Sequence, residues 1–355
     1  MTEELSKEEG WFKIRDESEE WYEKYIDLQN YMRGNVYHYT SAVALESILK
    51  NNNLWITKSD YLNDKTEYLY TIKLIRKVYE KNKYSHINEN TFNKFIRFFK
   101  TSLSRCFIFS ASLNSDSVNL WGNYTKNDGY NICFDLREMF NRMCSSNIYI
   151  TGNSYTELGE KNRYYIQKRD QHKSIEMWPG KVIYDIKQQE NILDDILSFF
   201  EHISEIYYSD ANRLYGNYES DINHKSLKRL EWEYNNALSL IISVLIKHIH
   251  LFKDPIFMQD EEYRITFNVN KELDVIKFRQ YNGVFFPYIE LGFDDDTDFH
   301  GLPINSLTIG PKNNLDIAKK GLQLFAQSLG YKLTKNYAES SGKIFVKNSN
   351  APLRY

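Results

Sequence analysis

The stretch from Val36 to Glu67, VYHYTSAVALESILKNNNLWITKSDYLNDKTE, limits the possible folds more than any other part of the chain. It opens with a β-prone run, Val36 to Thr40. Ala44, Leu45, Ile48 and Leu49 follow at helical spacing, with Thr40 or Ser41 placed to cap that helix. Asn51, Asn52 and Asn53 break the helix, Leu54 to Thr57 reads as a second strand, and Asp60 to Asp64 as a polar turn. A strand, a short helix and a returning strand brings the ends of both strands together. A histidine ending the first strand beside a helix N-terminus suits an anionic or ribose-bearing ligand. On spacing alone, a satisfied core histidine fits His38 equally well.

Beyond that stretch, helical spacing marks residues 18–33, 67–79 and 91–99, with Gly34 as the first stop. Strand composition marks 105–110, 130–135, 181–184, 262–267, 275–278, 284–291, 307–311 and 343–346. A short helix is expected at 118–124, and Asp135 is placed to cap the helix that begins LREMF. Residues 145–171 show no clear pattern. Two long helical patterns, 190–207 and 221–251, read as an inserted hairpin, and 315–329 is amphipathic. This order predicts an α+β chain with a mainly antiparallel or mixed sheet. The expected parts are an N-terminal helical extension over 1–34, a first α+β part over 35–186, a helical insertion over 187–253, and a second α+β part over 254–355.

The 355 residues carry a formal net charge of −3, so no strong field favours nucleic acid or an anionic membrane. With 28 tyrosines and 21 phenylalanines, core material is ample. Three cysteines, Cys106, Cys133 and Cys144, lack paired spacing and suit a reducing compartment. The acidic, polar start is unlike a secretory signal, and the most apolar run, Ala237 to Ile246, is too short to span a bilayer. The expectation is a soluble, cytoplasmic protein with no membrane partner. Dinucleotide, phosphate-loop, zinc-protease and nucleophile-elbow signatures are missing. His248 and His250 flank Ile249 without a supporting carboxylate or thiol, so no metal is expected.

The chemistry-bearing strand is Glu261-Glu262-Tyr263-Arg264-Ile265-Thr266-Phe267. Alternation places Glu262, Arg264 and Thr266 on one face, and Tyr263, Ile265 and Phe267 on the other. By itself this reads as a half-exposed strand bearing a surface ion pair. Four boxes, occurring in order, add to that reading. VYHYTSAVALESILKNNNLWITKSDYLND, FSASLNSDSVNLWGNYTKNDGYNICFD, DEEYRITF, and LTIGP with the closing SGKIFVKN-APLRY resemble the bacterial family called domain of unknown function 2971. The resemblance covers most of the chain from Val36 onward. It departs at Lys65-Thr66, where the family tends to carry a proline-containing turn, and at Asn123, where a histidine is frequent.

A more remote resemblance runs to ADP-ribosyltransferases of the His-Tyr-Glu type. It implies an ADP-ribosyltransferase-like core with an inserted helical hairpin, and NAD as substrate. His38 would match the ribose-holding histidine, Tyr124 (or Trp121) the ring stacked on nicotinamide, and Glu262 the catalytic glutamate. Tyr39, Thr40 and Ser110 would line the cofactor site, Arg264 would fix the carboxylate or meet a phosphate, and Asn63 and Asp64 would lie near its mouth. The implied activity is transfer of ADP-ribose to a protein, nucleic acid or small acceptor, in bacterial antiviral defence or as a toxin-like effector. An NAD glycohydrolase would use the same site. A non-catalytic nucleotide sensor, or a module binding a protein partner through the helical insertion, is the reading from another class.

Overall fold

The computed structural model describes residues 10–26, 34–62, 66–103, 105–125, 129–144, 148–155, 161–165, 175–215, 221–269, 274–281, 283–295, 300–312, 314–339 and 341–352. In chain order the elements are α1 (Gly10–Ile26), β1 (Asn35–Ser41), α2 (Ala42–Asn51), β2 (Asn53–Lys58), α3 (Thr66–Lys81), α4 (Glu89–Leu103), β3 (Cys106–Ser112), α5 (Val118–Thr125), β4 (Gly129–Asp135), α6 (Leu136–Cys144), β5 (Ile148–Tyr155), β6 (Lys161–Tyr165) and β7 (Ile175–Lys181). They continue with α7 (Ile186–Tyr215), α8 (Asp221–Ile249), β8 (Glu262–Val269), β9 (Lys277–Tyr281), β10 (Val284–Phe293), β11 (Ile304–Ile309), α9 (Leu315–Ser328), β12 (Leu333–Thr334) and β13 (Ile344–Asn348). The class is α+β with a mixed sheet, as the order of patterns predicted.

The chain divides into two compact units. One joins Met1–Leu28, Asp64–Ser104 and Ile183–Pro255; the other joins Gln29–Asn63, Arg105–Val182 and Ile256–Tyr355. The first unit is helical, and α7 and α8 pack along each other and receive α1, α3 and α4. Aromatic contacts make the joints: Trp21 stacks on Phe199 at 4.4 Å and Phe95 on Phe200 at 4.8 Å. Glu201 on α7 accepts the backbone N–H groups of Ser85, His86 and Ile87, which ties down the turn between α3 and α4. The helices over 66–103 therefore group with the inserted hairpin, where the sequence division had set them with the sheet. Their apolar faces, Ile75, Val78, Phe92 and Phe99 among them, are buried within this unit.

The second unit holds the sheet, in the order β12-β13-β11-β4-β1-β3-β2-β10-β5-β6. Most pairs are antiparallel, and β13 runs parallel to both β11 and β12. Strand β3 is shared three ways. Its full length pairs with β8, which carries β7 on its far side. Its other edge is split, with Ile108 and Phe107 paired to β2 and Ser112 paired to Tyr37 of β1. Ser41 caps α2 by accepting from Ala44 N, and Asn52 ends it in a left-handed conformation. Asp135 accepts from Glu138 N and caps α6. The hairpin β5–β6 lies where no pattern was read, because its stretch, rich in Gly, Asn, Ser and Tyr, lacks apolar alternation. The strand expected at 181–184 ends at Lys181, and Ile183 forms only an isolated bridge to Phe252. Among the described residues no helix is long and apolar enough to cross a membrane.

Histidine 248 on α8 gives the helical unit a pH dependence. Burial lowers its pKa to about 4, against the opposing pull of the Val244 carbonyl 2.8 Å from Nδ1. The Tyr25 ring meets it edge-on at 5.3 Å. The unfolded chain binds a proton at this residue near pH 6.5 while the folded one refuses it until about pH 4. Stability is therefore fully present above pH 6.5 and drains away between 6.5 and 4, by about 3 kcal/mol at most. Denaturant titrations across that range are expected to show this loss, and His248→Phe to flatten it.

Candidate functional site

At the end of the sheet where β3 finishes and β8 begins, two loops are stitched together. Leu113 N donates to Glu261 O at 2.7 Å, and the Ser112 hydroxyl donates to Asp260 O at 2.8 Å. Asn114 donates its amide to Glu261 Oε1 at 2.7 Å and accepts, through Oδ1, from Asp116 N. Tyr39 of β1 supports the same loop from below, its hydroxyl donating to Asn114 O and accepting from Ser117 N, both at 2.9 Å. These contacts hold the two loops that border an open groove of about 730 Å³. Asn114, Asp116, Ser117, Asn119, Asn123, Gln259 and Glu261 line it, with Val118 and Gly122.

Glu261 is unusual. It adopts φ +44, a left-handed conformation that costs a non-glycine residue about 1 kcal/mol or more. The kink opens β8 and turns the Glu261 side chain into the groove while its neighbour goes into the sheet. Glu262 is only 8% exposed, and Arg264, 3% exposed, grips it through Nε and Nη2 at 2.8 and 3.0 Å. Alternation placed these two on one face, and the register agrees: Glu262 pairs with Ser112 and Arg264 with Ser110. The ion pair expected at the surface is buried.

His38 lies elsewhere. Its ring is in contact with Phe109, centroids 5.3 Å apart, and Phe109 pairs with Ile265. Ile265 and Glu262 are three residues apart on one strand, so they point to opposite faces. His38 thus sits with Ile132, Phe134 and Phe109 on the apolar face, and Glu262 and Arg264 occupy the other. Two strand spacings of roughly 5 Å each also separate their backbones. The expected face-to-face arrangement of His38 and Glu262 is corrected on these grounds. Nδ1 of His38 instead bonds the Ser110 carbonyl at 3.1 Å, in the part of β3 that neither β1 nor β2 pairs. A carbonyl only accepts, so Nδ1 carries the proton, and burial holds the imidazole pKa below its usual value.

The aromatic candidates also move. Trp121 is fully buried, packs edge-on against Tyr39 at 4.7 Å, and donates Nε1–H to Asp116 at 2.8 Å. A Cβ at Gly310 would come within 2.9 Å of its ring. It is a core residue, not a stacking platform. Tyr124 is 46% exposed, but at 100° per residue it projects from the side of α5 opposite Val118, Asn119, Gly122 and Asn123. Stacking in this groove is therefore not available to it. Tyr39 and Thr40 are buried, the first as the loop's support; Asn63 and Asp64 lie outside the described residues.

What alternation missed is the loop itself. The turn between β3 and α5, from which the sequence reading singled out no residue, supplies Asn114, Asp116 and Ser117, and Asp116 further anchors the Ser349 hydroxyl and Asn350 N. Two carboxylates and four amides line the groove, with no cation among the lining residues. Such a surface attracts hydroxyl groups and positive charge and repels phosphate. Among the described residues no group of three or more His, Cys, Asp or Glu is placed to hold a metal. Comparison with family models, with curated proteins and with solved structures found no match.

The buried pair yields a stability test. Arg264→Ala strips Glu262 of its bidentate partner, and about 3 kcal/mol of unfolding free energy is expected to disappear. Replacing both together, Glu262→Leu with Arg264→Met, is expected to recover most of that loss in a denaturant titration. A double variant as unstable as the single one would mean that the pair does not compensate itself.

Proposed function

We propose that this chain binds NAD with its nicotinamide–ribose end in the groove, and cleaves the bond between the two in the manner of an ADP-ribosyltransferase. The observation that carries this reading is the pair of adjacent glutamates at the start of β8. One lines the groove, oriented by Asn114, and the next is held by Arg264 directly behind it. A groove with two carboxylates and no lining cation suits a pyridinium riboside. The pyrophosphate of NAD would then lie outside it.

In this chemistry the bond from ribose C1′ to the pyridinium nitrogen breaks. Nicotinamide leaves neutral with the bonding electrons, and positive charge develops on the ribose. An acceptor hydroxyl or amine, or water, then attacks C1′ and gives up a proton. A carboxylate beside the sugar stabilises the charged state more than the ground state. In this reading Glu261, which lines the groove, would do this, with Glu262 and Arg264 fixing the strand end. His38 acts at a distance, by holding Ser110 on the unpaired edge of β3. An acceptor distinguishes the transferase from the glycohydrolase, which would use the same groove with water.

One observation favours binding without turnover. Glu262, the residue that matches the family's catalytic glutamate, is engaged by Arg264, and its expected partners His38 and Tyr124 point elsewhere. Chromatographic assay of nicotinamide release separates the readings. Turnover by the wild-type chain and a fall of about 10²-fold or more in Glu261→Gln, with melting unchanged, is the expected result. Wild-type protein that binds NAD in calorimetry without releasing nicotinamide is a sensor. The absence of both NAD binding and nicotinamide release would sink the proposal.

A further inference from the structure

A second surface of the sheet unit carries exposed rings that the groove does not use. By register, Trp55 and Thr57 of β2, Phe286 and Tyr288 of β10 and Arg279 of β9 share one face. Trp55 is 41% exposed and its inner side rests on Tyr288, centroids 4.7 Å apart. Tyr61, 38% exposed, stands edge-on to Phe286 at 5.9 Å. A sheet face on which exposed rings rest against neighbouring rings presents π surface with little further ordering of side chains.

The charges on this face are uneven. Lys277 is paired with Glu290 at 2.6 Å. Among the described residues Arg279 has no carboxylate partner; one nitrogen donates to the Thr57 hydroxyl at 2.9 Å, and its guanidinium carbon lies 5.9 Å from the Trp55 ring centre. Burial lowers its pKa, against a smaller opposing pull from Tyr288. A guanidinium paired with no carboxylate, beside an exposed indole, has the complement of a base joined to a phosphate.

We propose that the face of β2, β9 and β10 around Trp55 is a nucleotide-binding platform, on which a base stacks on Trp55 and its phosphate meets Arg279. The occupant is a free nucleotide: the face offers one indole to a base and one guanidinium to a phosphate, its other cation Lys277 is already paired, and a net charge of −3 gives a polyanionic strand no attracting field. The platform is independent of the NAD reading of the groove. Titration of the full chain with AMP and with single-stranded oligouridylate tests this occupant. Saturable binding of AMP is expected, weakened about tenfold or more by Trp55→Ala and by Arg279→Gln, and largely kept by Trp55→Phe. Tighter, salt-sensitive binding of the oligonucleotide would overturn the free-nucleotide reading. Circular dichroism and melting curves verify that each variant is folded. No binding of either probe, or binding lost in Glu261→Gln yet untouched by Trp55→Ala, overturns the platform.

Discussion

Strand β3 has more partners than edges, and the rest of the sheet unit follows from that. One edge is filled by β8, while the other is divided between β2 at its start and β1 at its end. Two strands cannot occupy one edge at the same height, so they fork. Backbone groups inside the fork lose their ladder partners, and a buried carbonyl left unpaired costs about 1–3 kcal/mol. His38 donates its imidazole N–H to Ser110 O in that gap. The histidine is thus explained by the backbone it satisfies, and its place on the apolar face is the place from which it can do so.

The same fork brings the polar machinery to one end of the sheet. With β1 diverging, Tyr39 is free of β3 and supports the loop that leads into α5. That loop is tied in turn to the residues preceding β8. Two carboxylates only one residue apart consequently meet different surroundings. Glu262 is drawn into the sheet and neutralised by a guanidinium; Glu261, across a left-handed kink, stays in water at the groove. Local backbone strain separates their roles more than sequence position does.

How much of this was legible beforehand depended on the range of the interaction concerned. Alternation within β8 correctly sorted Glu262, Arg264 and Thr266 from Tyr263, Ile265 and Phe267, because period two is a property of one strand. Whether His38 shared a face with Glu262 depended on the register between strands more than 200 residues apart, which no local pattern carries. Helical spacing did hold the answer for Tyr124: it lies on the far side of α5 from Asn119 and Asn123, though only the groove shows which side counts. Trp121 read as an available ring because nothing nearby announces Gly310, whose missing side chain leaves room for the indole. The grouping of α3 and α4 with α7 and α8 was invisible for the same reason, since matched aromatic faces are chosen in three dimensions. Left-handed Glu261 had no signal, because residues that take this conformation by preference are glycine and asparagine.

The central claim is that the ligand approaches the face of Glu261 and leaves that of His38 untouched. Hydrogen exchange of the full chain with and without NAD tests it directly. Slower exchange is expected at residues 114–123 and 259–262, with amides 36–40 unchanged. Protection centred on 36–40 with none at the groove, or no protection anywhere at saturating NAD, would contradict the account.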